Sequence, residues 1–90
     1  MDFKRDRVLP PADVEKRYTG VVISYDPRKG HSCGWIRPDD YSSLPDDVFV
    51  SYVEIDYDGY KMLVVGDKVS FNVTMRKQRY YALRVNLIRS

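Results

Sequence analysis

The sequence predicts an all-β fold in which five short strands form a small barrel or sandwich. From Tyr18 onward, short apolar runs alternate with turn residues such as Gly, Pro and Asp. Eight tyrosines, three phenylalanines and one tryptophan stand beside many valines, a composition that favours strands over helices. Short strands at regular spacing with turn residues between them are typical of barrels and sandwiches.

The length of the chain predicts a single domain. A chain of 90 residues is too short to bury a second hydrophobic core. Residues 1–17 mix charges with prolines, and we predict that they form an N-terminal extension ahead of a domain at residues 18–90. The extension is expected to be flexible or to contain a short helix that begins at Pro11 or Ala12 and runs through Lys16.

Composition also limits the classes of function. Cys33 is the only cysteine and His31 the only histidine, which excludes an intrachain disulfide and any zinc site that needs several of these residues. We therefore predict no catalytic residues, no metal, no cofactor and no enzymatic activity. No apolar stretch is long enough to span a membrane, and no signal-peptide core follows the charged start. We thus expect an intracellular protein, cytoplasmic or nuclear, without a membrane partner.

Five strands can be placed by their apolar runs and the turns between them. They are predicted at residues 18–25, 32–37, 47–52, 68–75 and 80–87. Residues 26–30, which lie between the first two strands, include Pro and Gly at positions that suit a turn. The last two strands are separated by a few polar residues and are predicted to form a hairpin.

Alternation along the second and third strands places two aromatic residues outside the barrel. Val48 and Val50 alternate with Phe49, so the valines are expected to fill the core. The same alternation sends Ile36 inward and Trp35 outward, beside Phe49. Exposed aromatic neighbours usually have a partner, and nucleic-acid bases stack well on such rings. The alternative is that these aromatics cover the core beneath a long loop.

Charge is strongly segregated along the chain. Residues 38–67 carry eight acids against the single base Lys61, whereas residues 68–90 carry six bases and no acid. The last two strands and their turn are therefore predicted to present positive potential. Arg76, Lys77 and Arg79 are candidates for phosphate contacts, although a merely solvated turn is the alternative.

Five stretches, in this order, resemble the cold-shock domain. They are residues 20–22 (GVV), residues 29–30 with 34–36 (KG and GWI), residues 47–50 (DVFV), residues 59–63 with Gly66 (GYKML), and residues 69–73 (VSFNV). The resemblance covers most of the chain. It implies a five-stranded antiparallel barrel of the OB type that binds single-stranded RNA or DNA through its second and third strands.

Site residues follow from the resemblance by position. Trp35, Phe49 and Tyr60 match stacking aromatics of the family, and Lys29 matches its motif lysine. Tyr52 matches an aromatic at the edge of the binding face. The predicted nucleic-acid-binding residues are Lys29, His31, Trp35, Phe49, Tyr52, Tyr60, Lys61, Arg76, Lys77 and Arg79.

The departures from the family pattern predict weakened binding and leave a second function open. Ser24 and Ser51 replace a surface tryptophan and a histidine, and losing two stacking groups should cost at least about tenfold in affinity. We predict single-stranded nucleic-acid binding, RNA in preference to DNA. The alternative is a protein-interaction module, a homodimer or a docking domain of an RNA-related assembly, because interface hot spots favour apolar and aromatic groups. That apolar surface would consist of Val21, Ile23, Trp35 and Phe49.

Overall fold

The computed structural model describes residues 8–28, 32–55 and 63–88. It contains β1 (Tyr18–Asp26), β2 (Cys33–Pro38), β3 (Val48–Ser51), β4 (Lys68–Arg76) and β5 (Arg79–Leu87). A short 3₁₀ helix, Tyr52–Glu54, follows β3. The predicted strands are confirmed to within one residue at each end.

The strands close into a barrel in the order β1-β2-β3-β5-β4, which confirms the five-stranded barrel expected from the sequence. Neighbouring strands are antiparallel apart from β3 and β5, which pair in parallel. In this parallel pair Val48 lies opposite Tyr80 and Phe49 lies opposite Tyr81. The parallel pair closes the otherwise antiparallel barrel, and it brings β5 beside the strand that carries Phe49.

Alternate residues of every strand fill the barrel. The inward positions predicted for Ile36, Val48 and Val50 are confirmed, because each of these side chains is fully buried. Phe71 of β4 and Tyr80 of β5 are the largest fully buried side chains. The side chains that alternate with these buried residues are therefore left to face outward.

The described part of the N-terminal extension packs against the barrel. Leu9 is buried, and its N–H donates to Oε1 of Gln78 at 2.7 Å. The Tyr80 hydroxyl donates to the carbonyl oxygen of Pro10 at 2.6 Å, and burial raises the pKa of that hydroxyl. The short helix predicted up to Lys16 is absent: the structure has one turn there, closed by Lys16 N–H and Asp13 C=O at 3.1 Å.

Two bulges adjust the strands beside the outer face. In β1, Val22 pairs with Ile36 and Ser24 with Trp35, so Ile23 is the extra residue. In β5 the register with β4 shifts near Arg84, whose φ of 52° lies in the left-handed region. A bulge of this kind redirects nearby groups at the edge of a sheet.

The β4–β5 hairpin turn supports a prediction about stability. Lys77 and Gln78 have φ of 48° and 59° between the paired residues Arg76 and Arg79, as in a type I′ turn. Asn adopts this conformation more readily than Lys does, so Lys77→Asn is expected to stabilise the domain by about 0.5 to 1 kcal/mol. The expected rise in melting temperature is a few degrees. Lys77→Val, which places a β-branched residue at positive φ, should lower it, and equal melting temperatures for both variants would contradict the prediction.

Candidate nucleic-acid interface

Three aromatic side chains form a contiguous row on the outer face of the barrel. The ring centres of Trp35 and Phe49 are 5.4 Å apart with planes at 75°, and those of Phe49 and Tyr81 are 5.8 Å apart at 74°. The three residues come from β2, β3 and β5, and each is half-buried. We call Trp35, Phe49 and Tyr81 the aromatic row. Its first two members lie side by side as strand alternation predicts.

Two arginines from the β4–β5 hairpin flank the aromatic row. The guanidinium carbon of Arg79 lies 5.7 Å from the Trp35 ring centre, and that of Arg76 lies 6.0 Å from the Tyr81 ring centre. Cations over aromatic faces at exposed sites contribute about 0.5 to 1 kcal/mol each. Both side chains remain exposed, so their outer N–H groups can still meet phosphate oxygens.

Charge pairing leaves these two arginines available. Two carboxylates from residues 38–67 have other cationic partners: Asp39 pairs with Lys68 at 3.0 Å, and Asp47 with Arg37 at 3.3 Å. Hydrogen bonds from the Thr19 hydroxyl and from Lys68 lower the pKa of Asp39. Within residues 8–28, 32–55 and 63–88, neither arginine flanking the row forms an ion pair.

A cleft of about 460 Å³ opens beside Trp35 at the β1 end of the row. Ser24 lies opposite Trp35 in the β1–β2 pair, so no aromatic ring extends the row onto β1. Ile23 also lines this cleft, whereas Val21 does not. The polar groups around Trp35 in the cleft are Ser24, Asp46, Asp47, Gln78 and Arg79.

A second cleft, of about 260 Å³, opens at the β5 end of the row. Phe49 and Tyr81 form its aromatic wall, and we call it the Tyr81 cleft. Glu54, at the end of the 3₁₀ helix, also lines it, and the Glu54 Oε1 accepts a hydrogen bond from Arg84 N–H at 3.3 Å. The remaining lining includes Val53, Thr74, Arg76 and Leu83.

The other predicted site residues are placed differently. Tyr52 begins the 3₁₀ helix and is 38% exposed, and its N–H donates to the Ser32 carbonyl at 3.1 Å. No ring contact joins Tyr52 to the aromatic row among the described residues. Lys77 lies in the exposed hairpin turn. The predicted residues Lys29, His31, Tyr60 and Lys61 lie outside the described residues.

Sequence reasoning missed Tyr81. The signal available was alternation in β5, where buried Tyr80 and Ala82 require Tyr81 to face outward. Nothing in that alternation says which strand lies beside β5. The parallel pairing with β3 is the feature that brings Tyr81 to Phe49.

Two other features are absent from the described ranges. None of their helical segments has the length and the apolar character of a membrane-spanning helix. These ranges also contain no group of three or more His, Cys, Asp and Glu side chains arranged to hold a metal ion.

Comparison with known families identifies the barrel. The 'Cold-shock' DNA-binding domain family matches residues 18–88, from the first residue of β1 to the residue after β5. The match therefore includes every strand and the whole aromatic row. A closed five-stranded barrel is also the architecture expected of such an OB-type domain. The chain belongs to the cold-shock DNA-binding domain family, a family of single-stranded nucleic-acid-binding domains.

Proposed function

We propose that this domain binds single-stranded RNA by stacking bases on the aromatic row, and that it has no enzymatic activity. The observation that carries the proposal is the row itself: three half-buried rings, of which the central one contacts both others, with an exposed arginine near each end. Each base stacked on an aromatic side chain contributes about 1 to 3 kcal/mol. Arg76 and Arg79 add contacts with the phosphates between the stacked bases.

The spacing of the rings favours a single strand over a duplex. Adjacent ring centres are 5.4 and 5.8 Å apart, whereas successive bases in a duplex rise by about 3.4 Å. A strand that places neighbouring bases on neighbouring rings must therefore be extended, with its own base stacking interrupted. In a duplex each base is already stacked between its neighbours and paired, whereas the unstacked bases of a single strand are free to lie on protein rings.

The surroundings of Trp35 support RNA as the ligand. The cleft beside it is lined by the carboxylates of Asp46 and Asp47 and by the amide of Gln78. A ribose 2′-hydroxyl both donates and accepts hydrogen bonds, so it can use either kind of group, and deoxyribose offers neither. We therefore expect tighter binding of RNA than of DNA with the same sequence.

The test is a titration of Trp35, the only tryptophan, with matched RNA and DNA oligonucleotides at two salt concentrations. Binding should quench the fluorescence of Trp35. The affinity should fall with salt, because each neutralised phosphate of a single strand contributes about −0.7 to the slope of log K against log salt concentration. Arg76→Gln should reduce the salt slope by about 0.7. Lys68→Gln, which changes the same charge at the opposite end of β4, serves as the control. If neither RNA nor DNA quenched the fluorescence, the proposal would be refuted.

A second candidate function is the docking of a protein partner on the same face. It is favoured by Ile23, which the β1 bulge leaves half-buried beside Trp35 in the same cleft. Aromatic residues ringed by apolar contacts are common at interface hot spots. Light scattering that detects a dimer of the wild-type chain, dissociated by Ile23→Lys, would support this function for a second copy of the chain.

A further inference from the structure

We infer that the Tyr81 cleft is a base-binding pocket that selects bases with an exocyclic amino group, with Glu54 as the discriminating residue. The inference rests on the proposed function and extends it to base preference. The preferred bases are cytosine, adenine and guanine, which carry such a group. Uracil and thymine carry a carbonyl oxygen instead and are disfavoured.

The position of the cleft makes it the continuation of the aromatic row. Phe49 and Tyr81 belong both to the row and to the wall of the cleft. A strand stacked on Trp35 and Phe49 and continued towards β5 therefore delivers its next base to this cleft. At the other end the row stops at Ser24, which offers no ring. The binding face is thus extended towards β5 rather than towards β1.

The size and lining of the cleft suit one planar base. Its volume of about 260 Å³ is close to the lower limit of pockets that hold small ligands, about 300 Å³. Besides the aromatic wall, Val53 and Leu83 supply apolar surface, and Val53 is 61% exposed. Apolar groups with a few fixed polar groups are typical of pockets that bind small aromatic molecules.

Glu54 supplies the fixed polar group. Its Oε1 accepts a hydrogen bond from the backbone N–H of Arg84. Arg84 lies at the bulge in β5 and has a φ of 52°. This hydrogen bond orients the carboxylate at the edge of the cleft. An ionised carboxylate accepts hydrogen bonds at about four positions and donates none. Capacity therefore remains for an amino donor from a base.

The same property disfavours uracil and thymine, whose exocyclic oxygens only accept hydrogen bonds and whose one donor is the ring N3–H. In a pose that brings the exocyclic group of the base to Glu54, the uracil carbonyl oxygen would face the carboxylate oxygens without a proton between them, and both groups would lose hydrogen bonds with water. Sites built around a hydrogen-bonding group discriminate strongly against ligands that leave it unpaired. Arg76, which lines the cleft and lies 6.0 Å from the Tyr81 ring centre, offsets the repulsion between Glu54 and the phosphates.

The test compares the affinities of oligocytidine and oligouridine RNA, measured by Trp35 quenching. Wild-type protein should prefer oligocytidine by about tenfold or more. Glu54→Gln retains an oxygen for Arg84 N–H and adds an amide donor for uracil. The variant should therefore bind oligocytidine and oligouridine with nearly equal affinity. Glu15→Gln removes the same charge from the N-terminal extension and should leave the preference unchanged.

A change on the ligand provides a test that needs no protein variant. Oligocytidine with both N4 hydrogens replaced by methyl groups should bind wild-type protein as weakly as oligouridine does. Equal affinity for cytidine and uridine, or a preference unaffected by Glu54→Gln, would overturn the inference while leaving the proposed function intact. Absence of quenching by every oligonucleotide would overturn both.

Discussion

Replacing Gly34 by alanine is expected to destabilise the barrel by about 3 kcal/mol or more. A Cβ atom at this position would overlap the Ser24 carbonyl oxygen and lie 2.9 Å from the Tyr25 Cα. Both are backbone atoms of β1, and Tyr25 is the residue paired with Gly34. The overlap cannot be relieved by turning a side chain, so β1 and β2 must separate where they pair.

That loss is large for a domain of this size, whose total free energy of unfolding is expected to be about 5 to 13 kcal/mol. Urea unfolding followed by Trp35 fluorescence measures it directly, as a shift of the midpoint at an unchanged slope. Ser24→Ala is the matched control, because it changes the side chain of the clashing residue and leaves the carbonyl in place. The control should stay within about 0.5 kcal/mol of wild type. A Gly34→Ala variant as stable as this control would show that the strands can accommodate the methyl group.

Phe49→Ala is expected to cause the largest loss of nucleic-acid affinity among single truncations in the aromatic row. Phe49 is the only member in contact with both of the others, so its removal isolates Trp35 from Tyr81. The lost stacking alone is worth about 1 to 3 kcal/mol, which corresponds to a loss of about fivefold to hundredfold in affinity. Contacts that position the two remaining rings are lost as well.

This variant should remain folded, because Phe49 is half-buried on the outer face and the core contacts of Val48 and Val50 are unchanged. Circular dichroism checks the fold, and anisotropy of a labelled RNA measures the affinity. Tyr41→Ala is the control: it removes an exposed ring, 46% accessible, that lies near Arg37 and outside the row. If Phe49→Ala and Tyr41→Ala bound equally well, stacking on the row could not be the binding mode.

Much of the fold could be predicted because one face of each strand is buried. Alternation at Val48, Phe49 and Val50 fixes which of these side chains enter the core. The same rule places Ile36 inside the barrel and Trp35 outside it. Antiparallel pairing of these two consecutive strands then places Trp35 beside Phe49 without knowledge of the rest of the barrel. These two members of the row depend on local pattern alone.

The remainder of the site depends on contacts between distant parts of the chain. Tyr81 reaches Phe49 through the parallel β3–β5 pair, which no turn in the sequence specifies. Glu54 meets Arg84 only because a bulge in β5 turns that N–H towards the 3₁₀ helix. Strand periodicity predicts neither the partner of a closing strand nor the position of a bulge.

The N-terminal extension shows how local hydrogen bonds can override a helix signal. Pro11 and the residues after it suit a helix start, yet the Asp13 side chain accepts from Glu15 N–H at 3.0 Å. The Asp13 N–H donates to the Tyr18 hydroxyl at 3.3 Å. Such side-chain and backbone pairing offers the chain an alternative to helical hydrogen bonds. Tyr18 belongs to β1, so the barrel and not the local sequence brings its hydroxyl to Asp13.

The parallel β3–β5 pair also links ligand binding to the order in which the protein is made. β5 follows the other four strands of the barrel in the sequence and supplies one end of the aromatic row, so a chain emerging from the ribosome lacks the complete site until β5 is released. A strand of RNA lying across β2, β3 and β5 would then hold together the junction that closes last. Ligand at a hundred times its dissociation constant would add about 2.7 kcal/mol to the free energy of unfolding. In a domain this small, that contribution from the bound nucleic acid would be a substantial part of the total free energy of unfolding.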